Sequence, residues 1–104
     1  MFGLVVRFDL RPDAGSEFDG LVDRTVAQIL VSEPETLIYA IHRIEGDDNA
    51  RVFYEVYSDR AAFDSHENQP YVKDFLERRR RHLVSEPRVE CLTSFGGNGL
   101  PSSS

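Results

Sequence analysis

The stretch TLIYAIHRIEGDDNARVFYEVY, residues 36–57, decides the fold. Within it, residues 36–44 and 51–57 alternate their side chains in the way a strand does, and both are rich in β-branched and aromatic types. Residues 46–49, Gly-Asp-Asp-Asn, have the composition of a turn. The sequence therefore predicts a β-hairpin over residues 36–57.

A strand and a helix are predicted before this hairpin. Residues 2–8 alternate between apolar and other side chains, which indicates a strand. Over residues 18–30, apolar side chains recur at the spacing of one helix face, and Pro34 prevents the helix from continuing. Ser16 and Asp19 fit a capping box at the start of this helix.

Two helices and a last strand are predicted after the hairpin. Ser58 or Asp59 is expected to cap a short helix. Pro70 suits the first position of the next helix, because its missing N–H has no partner there. Residues 85–87 end that helix, and residues 88–95 alternate weakly as a last strand.

The predicted order of elements is β-α-β-β-α-β. This order is the split βαβ plan, so we predict an α+β, ferredoxin-like fold with a four-stranded antiparallel sheet. The tetrapeptide VSEP occurs at residues 31–34 and again at residues 84–87, in each case between a helix and a strand. We expect one domain over residues 1–95 and a Gly/Ser-rich tail over residues 96–104.

Composition and charge argue against several classes of protein. The chain has 104 residues, enough for one small domain, and its formal net charge of −6 argues against nucleic acid and anionic membranes as partners. Cys91 is its single cysteine, which excludes an internal disulfide and a cysteine-based metal cluster. No apolar run approaches the roughly 20 residues of a membrane span, and Met1 leads directly into a strand-like segment. We therefore expect a soluble, cytoplasmic protein.

The predicted sheet is apolar on both faces. Apolar side chains of residues 36–44 point alternately to both sides of the strand, and those of residues 51–57 do the same. Helices on one side of the sheet leave the other side bare, and an exposed apolar patch of that size usually marks an interface. We therefore expect a homodimer in which two sheets pack together around a twofold axis.

A set of short motifs runs from the hairpin into the helices that follow it. FYEVYSD, residues 53–59, is a strand with a central glutamate and a short exit motif, and His66 ends the short helix after it. QPYVKDF, residues 69–75, opens the next helix, and YAIH, residues 39–42, lies in the preceding strand. Together these segments resemble the signature of the antibiotic biosynthesis monooxygenase family, and the resemblance extends over about residues 2–95.

The resemblance implies a dimeric α/β barrel and an activity. Members of the family oxidise quinols or polycyclic phenolic compounds with O2 and use no metal, haem or flavin, while others isomerise or cleave small molecules. The resemblance thus implies a cofactor-independent monooxygenase acting on a small quinol or polycyclic phenol. The alternatives are an isomerase or lyase on the same scaffold and a non-enzymatic ligand-binding dimer. The chain has no Trp, and Tyr57 stands where the family commonly has Trp, which argues against the haem-degrading branch.

Side-chain chemistry and the resemblance together suggest a site. His66 is the candidate base because imidazole titrates near neutral pH, and the alternative is a histidine that only caps the helix end. Glu55 lies among apolar neighbours, where it is expected either to orient a group in the site or to pair with an arginine of a neighbouring strand. The candidate substrate contacts, each with packing as its alternative, are Tyr57, Tyr71, Tyr39, His42, Phe53 and Phe75.

The one run of like charge is RRRRH, residues 78–82. We interpret it as a solvated helix end, where cations offset the helix dipole. The alternative is that one of its arginines reaches a ligand that bears a carboxylate. We interpret Cys91, which lies on the last strand, as a buried small apolar residue.

Overall fold

Residues 1–100 of the chain are described by a computed structural model. The elements in chain order are β1 (Phe2–Asp9), α1 (Gly15–Ser32), β2 (Thr36–Ile44), β3 (Asp47–Tyr57), α2 (Arg60–Glu67), α3 (Pro70–Arg78), a 3-10 turn (Arg79–His82) and β4 (Arg88–Thr93). The strands form one sheet in the order β2-β3-β1-β4, and every neighbouring pair is antiparallel. This is the predicted α+β, ferredoxin-like fold.

The hairpin between β2 and β3 is tighter than the composition of its turn suggested. Ile44 pairs with Asp47, so only Glu45 and Gly46 form the turn, and β3 begins at Asp47. Gly46 has a φ of 81°, a left-handed conformation that such a two-residue turn requires and that glycine adopts without steric cost. Residues 47–49, which the composition assigns to the turn, are therefore the first residues of β3.

The predicted capping box at the start of α1 is wrong. The helix begins at Gly15, and its N-cap residue Ala14 makes no side-chain capping bond. Asp19 instead receives two hydrogen bonds from Arg51 of β3, Nε to Oδ1 at 2.8 Å and Nη2 to Oδ2 at 3.0 Å. Arg51 is almost fully buried, and its guanidinium holds the pKa of Asp19 below its usual range. The carboxylate of Asp19 thus connects α1 to the sheet. Its hydrogen bonds to a charged guanidinium are stronger than a capping bond to a backbone N–H.

The core lies between the sheet and the helices. Leu4, Val6 and Phe8 of β1 face the helices and pack against Phe18 of α1 and Phe53 of β3. The apolar stripe of α1 is buried as predicted except at its end. Leu30 is 81% exposed, because it is turned by about 100° around the helix from buried Ile29.

The opposite face of the sheet carries apolar side chains that no helix covers. The strand register places Val5 beside Tyr54, and Tyr54 beside Ala40, on this face. Val52 and Ile38 lie on the same face and are half-buried. We call this surface the open face. Both sides of the sheet are thus apolar, as the sequence indicated.

The last part of the described chain differs from expectation at two points. β4 ends at Thr93, and residues 96–100 contain no helix or strand. The rest of the predicted tail, 101–104, lies outside the described residues. Cys91 is exposed and not buried, because β4 is an edge strand. Within residues 1–100, no helix is both long and apolar enough to cross a membrane.

Candidate active site

A cavity lies between the helix-facing side of the sheet and the helices α2 and α3. Its volume is about 100 Å³. Most of its wall is apolar, and its polar lining groups are Tyr39, Glu55, His66, Glu67 and Arg79. Wider surface grooves are more open to solvent and bring together fewer of the predicted site residues. One of them, which we call the outer groove, has a volume of about 390 Å³ and lies between α3 with the 3-10 turn and the segment 83–87 that precedes β4. We therefore treat the inner cavity as the candidate site.

Local sequence signals position the histidine of this cavity. The Asp59 side chain accepts a hydrogen bond from the backbone N–H of Ala62 at 2.8 Å and so caps α2, as predicted. His66 lies in the last turn of this helix. Pro70 occupies the start of α3, also as predicted, and this helix brings Phe75 to the cavity wall.

The orientation of His66 is fixed by the carboxylate of Glu33, the residue that directly follows α1. Nδ1 of His66 lies 2.7 Å from Oε1 of Glu33, and the two side chains are only 4% and 6% exposed. Thr36 donates to the same oxygen at 2.7 Å, and the Tyr71 hydroxyl donates to Oε2. Since the carboxylate accepts all these bonds, we assign the proton of the neutral imidazole to Nδ1.

That tautomer leaves Nε2 of His66 with a free lone pair. Within residues 1–100, every buried side-chain nitrogen and oxygen has a hydrogen-bond partner. Nε2 of His66 has no partner there, so it is not one of the buried atoms and is accessible. His66 lines the cavity. The imidazole lies between two tyrosine rings, with centroid distances of 5.6 Å to Tyr39 and 5.3 Å to Tyr57. A carboxylate-oriented imidazole with one free nitrogen is the arrangement of a general base.

Glu55 is a second acid–base group in the cavity wall. Burial raises its pKa from 4.5 to about 7, although the Tyr57 hydroxyl donates to Oε1 at 2.6 Å and partly opposes this shift. Burial also raises the pKa values of Tyr39 and Tyr57 above their usual range, so both phenols stay protonated. Glu55 therefore changes charge near neutral pH, while the phenols of Tyr39 and Tyr57 do not.

Glu55 gives the fold a pH dependence of defined sign. Because its pKa is about 7 when folded against a usual 4.5, the folded state binds more protons than the unfolded state between these values. The stabilising contribution of Glu55 is complete below pH 4.5 and is lost as the pH rises through 7. At about 1.36 kcal/mol per pH unit, we expect a loss of about 2 to 3 kcal/mol in the free energy of unfolding.

Glu55→Gln is the matched variant for this prediction. It keeps an acceptor for the Tyr57 hydroxyl but cannot titrate. The free energy of unfolding of both proteins is measured by urea denaturation at about pH 5 and about pH 8. Relative to the variant, the unchanged protein should be less stable at about pH 8 than at about pH 5 by the expected amount. An identical difference at both pH values would show that Glu55 does not titrate in this range.

The structure brings some of the predicted site residues together and separates others. His66, Glu55, Tyr39, Phe53 and Phe75 all line the cavity. Three predicted substrate contacts do not. Tyr57 is fully buried as the partner of Glu55, Tyr71 is held by Glu33, and His42 lies on the open face with Nδ1 3.2 Å from the carbonyl oxygen of Val52.

Three polar residues of the site did not emerge from the sequence. Glu67 is not among the predicted site residues, and Glu33 stands out only as part of a tetrapeptide between a helix and a strand. The interpretation of the run RRRRH as a solvated helix end is wrong for Arg79. Its guanidinium carbon lies 5.2 Å from the ring centroid of Phe8 and 5.5 Å from that of Phe75, at the cavity wall. The interpretation holds for Arg78, which is exposed and paired with Asp74.

The donor groups within residues 1–100 do not form a metal site. No group of three or more His, Cys, Asp or Glu side chains in this part of the chain is arranged to hold an ion. The cavity does contain the components of acid–base chemistry on an apolar molecule. They are an oriented imidazole, a carboxyl with a pKa of about 7 and a phenol that stays protonated.

Comparison with known proteins identifies the family. The family model for antibiotic biosynthesis monooxygenases matches residues 1–78. An uncharacterised protein of Synechocystis, sll1783, is 36% identical over 78 residues, which is 75% of this chain and 52% of that protein. This chain therefore spans about half the length of that curated relative.

Solved structures confirm the fold. Rv0793 from Mycobacterium tuberculosis superposes with a TM-score of 0.85 at 23% identity, over 94% of this chain and 98% of that one. SnoaB, a cofactor-independent oxygenase from Streptomyces nogalater, superposes with a TM-score of 0.80 at 21% identity, over 95% of this chain and 97% of that one. Because the family model matches well over half of its length, the chain belongs to the antibiotic biosynthesis monooxygenase family.

Proposed function

We propose that the protein is a cofactor-independent monooxygenase that oxidises a small quinol or polycyclic phenol with O2. The observation that carries the proposal is the Glu33–His66 pair, in which a carboxylate holds Nδ1 of an imidazole that lines a mostly apolar cavity. Family membership supports it, as does the structural likeness to SnoaB, which is described as a cofactor-independent oxygenase. The same likeness supports chemistry without a bound metal, haem or flavin.

In the proposed reaction, Nε2 of His66 takes the proton of a substrate hydroxyl. Glu33 stabilises the imidazolium that forms, because its carboxylate accepts the Nδ1 proton. The electron-rich phenolate passes electrons to O2, and a new bond forms between a ring carbon and one oxygen atom. The second oxygen atom leaves as water, and in this proposal Glu55, which lines the cavity and has a pKa of about 7, supplies a proton when it is neutral.

The reaction balances without a further reductant. One 1,4-dihydroxybenzene and one O2 give one hydroxybenzoquinone and one water. The quinol supplies all the electrons that reduce both oxygen atoms. A dry cavity favours this chemistry, because water would compete for the anion and for the reduced oxygen species.

The volume of the cavity favours a single-ring quinol over a polycyclic phenol. An apolar cavity of about 150 Å³ is known to hold benzene, and the cavity here is about 100 Å³. One aromatic ring therefore fits with small adjustments of the wall. A polycyclic phenol requires Leu76 and Arg79, which lie between the cavity and the outer groove, to move apart.

Oxygen uptake tests the proposed function. The chelator-treated protein is mixed with 1,4-dihydroxybenzene, and O2 consumption and quinone formation are followed beside an enzyme-free control. We expect enzyme-dependent uptake of one O2 per product and no turnover under argon. Consumption of the substrate under argon would indicate an isomerase or lyase, and binding without turnover would indicate a ligand-binding protein. Either result overturns the proposal.

We also propose that the open face is covered by a second copy of the chain, so that the active protein is a homodimer. A sheet with two apolar faces and helices on only one of them supports this arrangement. Light scattering at micromolar concentration should give twice the subunit mass.

Val52→Asp should give the mass of a single subunit, because it places a charge on the open face. Leu30→Asp is the matched control. Leu30 is an exposed apolar residue of α1, away from the sheet, so the variant should keep the dimer mass. A monomeric unchanged protein would contradict the proposal.

A further inference from the structure

The proposed reaction assigns no role to the positive charge of Arg79. Among the arginines of residues 1–100, only Arg24 and Arg79 have neither an ion pair nor a hydrogen bond. Arg24 is exposed and solvated, whereas Arg79 is half-buried at the cavity wall. The guanidinium of Arg79 is therefore placed in the site without a counter-ion.

The surroundings of Arg79 make it receptive to an anion. Its guanidinium lies over the rings of Phe8 and Phe75, and burial lowers its pKa, although it stays protonated. The carboxylates of Glu55 and Glu67 at the cavity and of Glu86 at the outer groove favour the charged form of Arg79 and oppose the effect of burial on its pKa, but none of them forms an ion pair with it. A desolvated charge without a partner is costly, and a carboxylate brought by a ligand offsets that cost.

We propose that Arg79 binds a carboxylate of the substrate, so that the substrate is a single-ring quinol bearing a carboxylate. This inference rests on the proposed function and narrows its substrate class. The ring occupies the apolar cavity, one hydroxyl meets His66, and the carboxylate meets Arg79 where the cavity adjoins the outer groove. A guanidinium suits this role because its planar fork matches the two carboxylate oxygens.

Two probes that differ only in the carboxylate test the inference. They are 2,5-dihydroxybenzoate and 1,4-dihydroxybenzene, compared by kcat/KM in the unchanged protein and in Arg79→Gln. We expect the unchanged protein to prefer the carboxylated probe by about 10-fold to 100-fold, the usual size of a charged hydrogen-bonded contact. Arg79→Gln should abolish that preference while it still oxidises the uncharged probe.

The control variant is Arg78→Gln. It makes the same change one residue earlier, at an exposed arginine paired with Asp74, and should keep the full preference. Arg79→Lys, which retains the charge but not the fork, should keep an intermediate preference. If Arg79→Gln lowers kcat/KM equally for both probes, Arg79 acts only by packing and the inference is wrong.

Anaerobic calorimetry separates this inference from the proposed function. If neither probe is oxidised but 2,5-dihydroxybenzoate binds the unchanged protein at least 10-fold more tightly than Arg79→Gln, the carboxylate site stands and the monooxygenase activity fails. If both probes are oxidised but bind without discrimination, the activity stands and the carboxylate site fails. Absence of 2,5-dihydroxybenzoate binding to the unchanged protein also overturns the inference.

Discussion

Replacing His66 with Asn is expected to lower the rate of quinol oxidation by about 10²-fold or more, the usual effect of losing a general base. An Asn amide nitrogen lies near the position of Nδ1, so it continues to donate to Glu33. The variant has nothing in place of Nε2, which is the proposed proton acceptor. Steady-state oxygen uptake measures the loss, and circular dichroism should show an unchanged fold.

Chemical rescue makes this prediction specific to the base. His66→Ala leaves a space the size of an imidazole ring beside Glu33, and added imidazole should restore a measurable part of the activity in proportion to its concentration. Serine at position 65, an exposed neighbour on α2, offers a control: Ser65→Ala should keep full activity and show no response to imidazole. Full activity in His66→Asn would remove His66 from the reaction.

Replacing Glu33 with Ala is expected to lower the free energy of unfolding by about 4 kcal/mol. The carboxylate accepts hydrogen bonds from His66, Thr36 and Tyr71, and its side chain is 6% exposed. Each buried donor left without an acceptor costs about 1 to 3 kcal/mol, and the half-buried Thr36 and Tyr71 regain part of their cost by bonding water. Urea denaturation at fixed protein concentration measures the loss.

Glu35→Ala is the matched control for Glu33→Ala. Glu35 lies two residues further along, is exposed and accepts a hydrogen bond from Ser58. Its removal should cost less than about 1 kcal/mol, because water replaces the lost partner. Equal losses in the two variants would show that the carboxylate of Glu33 is not the centre of a buried network.

The local features of the fold could be predicted because each depends on neighbouring residues. The hairpin strands, the Asp59 cap and the start of α3 at Pro70 all follow from composition and spacing within a few positions. The start of α1 could not be predicted in the same way. Asp19 suits a capping box and an ion pair equally well, and Arg51, which decides between them, is 32 residues away.

The residues of the candidate site likewise differ in whether the sequence near them could predict their role. His66 and Glu55 stand out in the sequence as polar residues among apolar ones, and the structure places both at the cavity. Glu33 is 33 residues from His66, and nothing near it in sequence indicates a buried partner. In the run of arginines, each residue is turned by about 100° to 120° from the last, so one side chain reaches the cavity while its neighbours meet solvent.

Tyrosine placement shows why proximity in sequence is a poor guide to a pocket. Tyr57 and Tyr71 flank His66 in sequence, yet they hydrogen-bond to Glu55 and Glu33 and do not line the cavity. Tyr39, from a different strand, does line it. In the proposed reaction, both flanking tyrosines therefore position carboxylates and do not contact the substrate.

Isotope labelling tests the central claim most directly. The protein is given 1,4-dihydroxybenzene under ¹⁸O2, and the product is reduced at once, to stop exchange with water, before mass spectrometry. We expect one labelled oxygen atom in each molecule of ring product and none when the label is supplied as water, with the labelled product formed about 10²-fold more slowly by His66→Asn. A product that takes its new oxygen from water, or that carries no new oxygen, would contradict it.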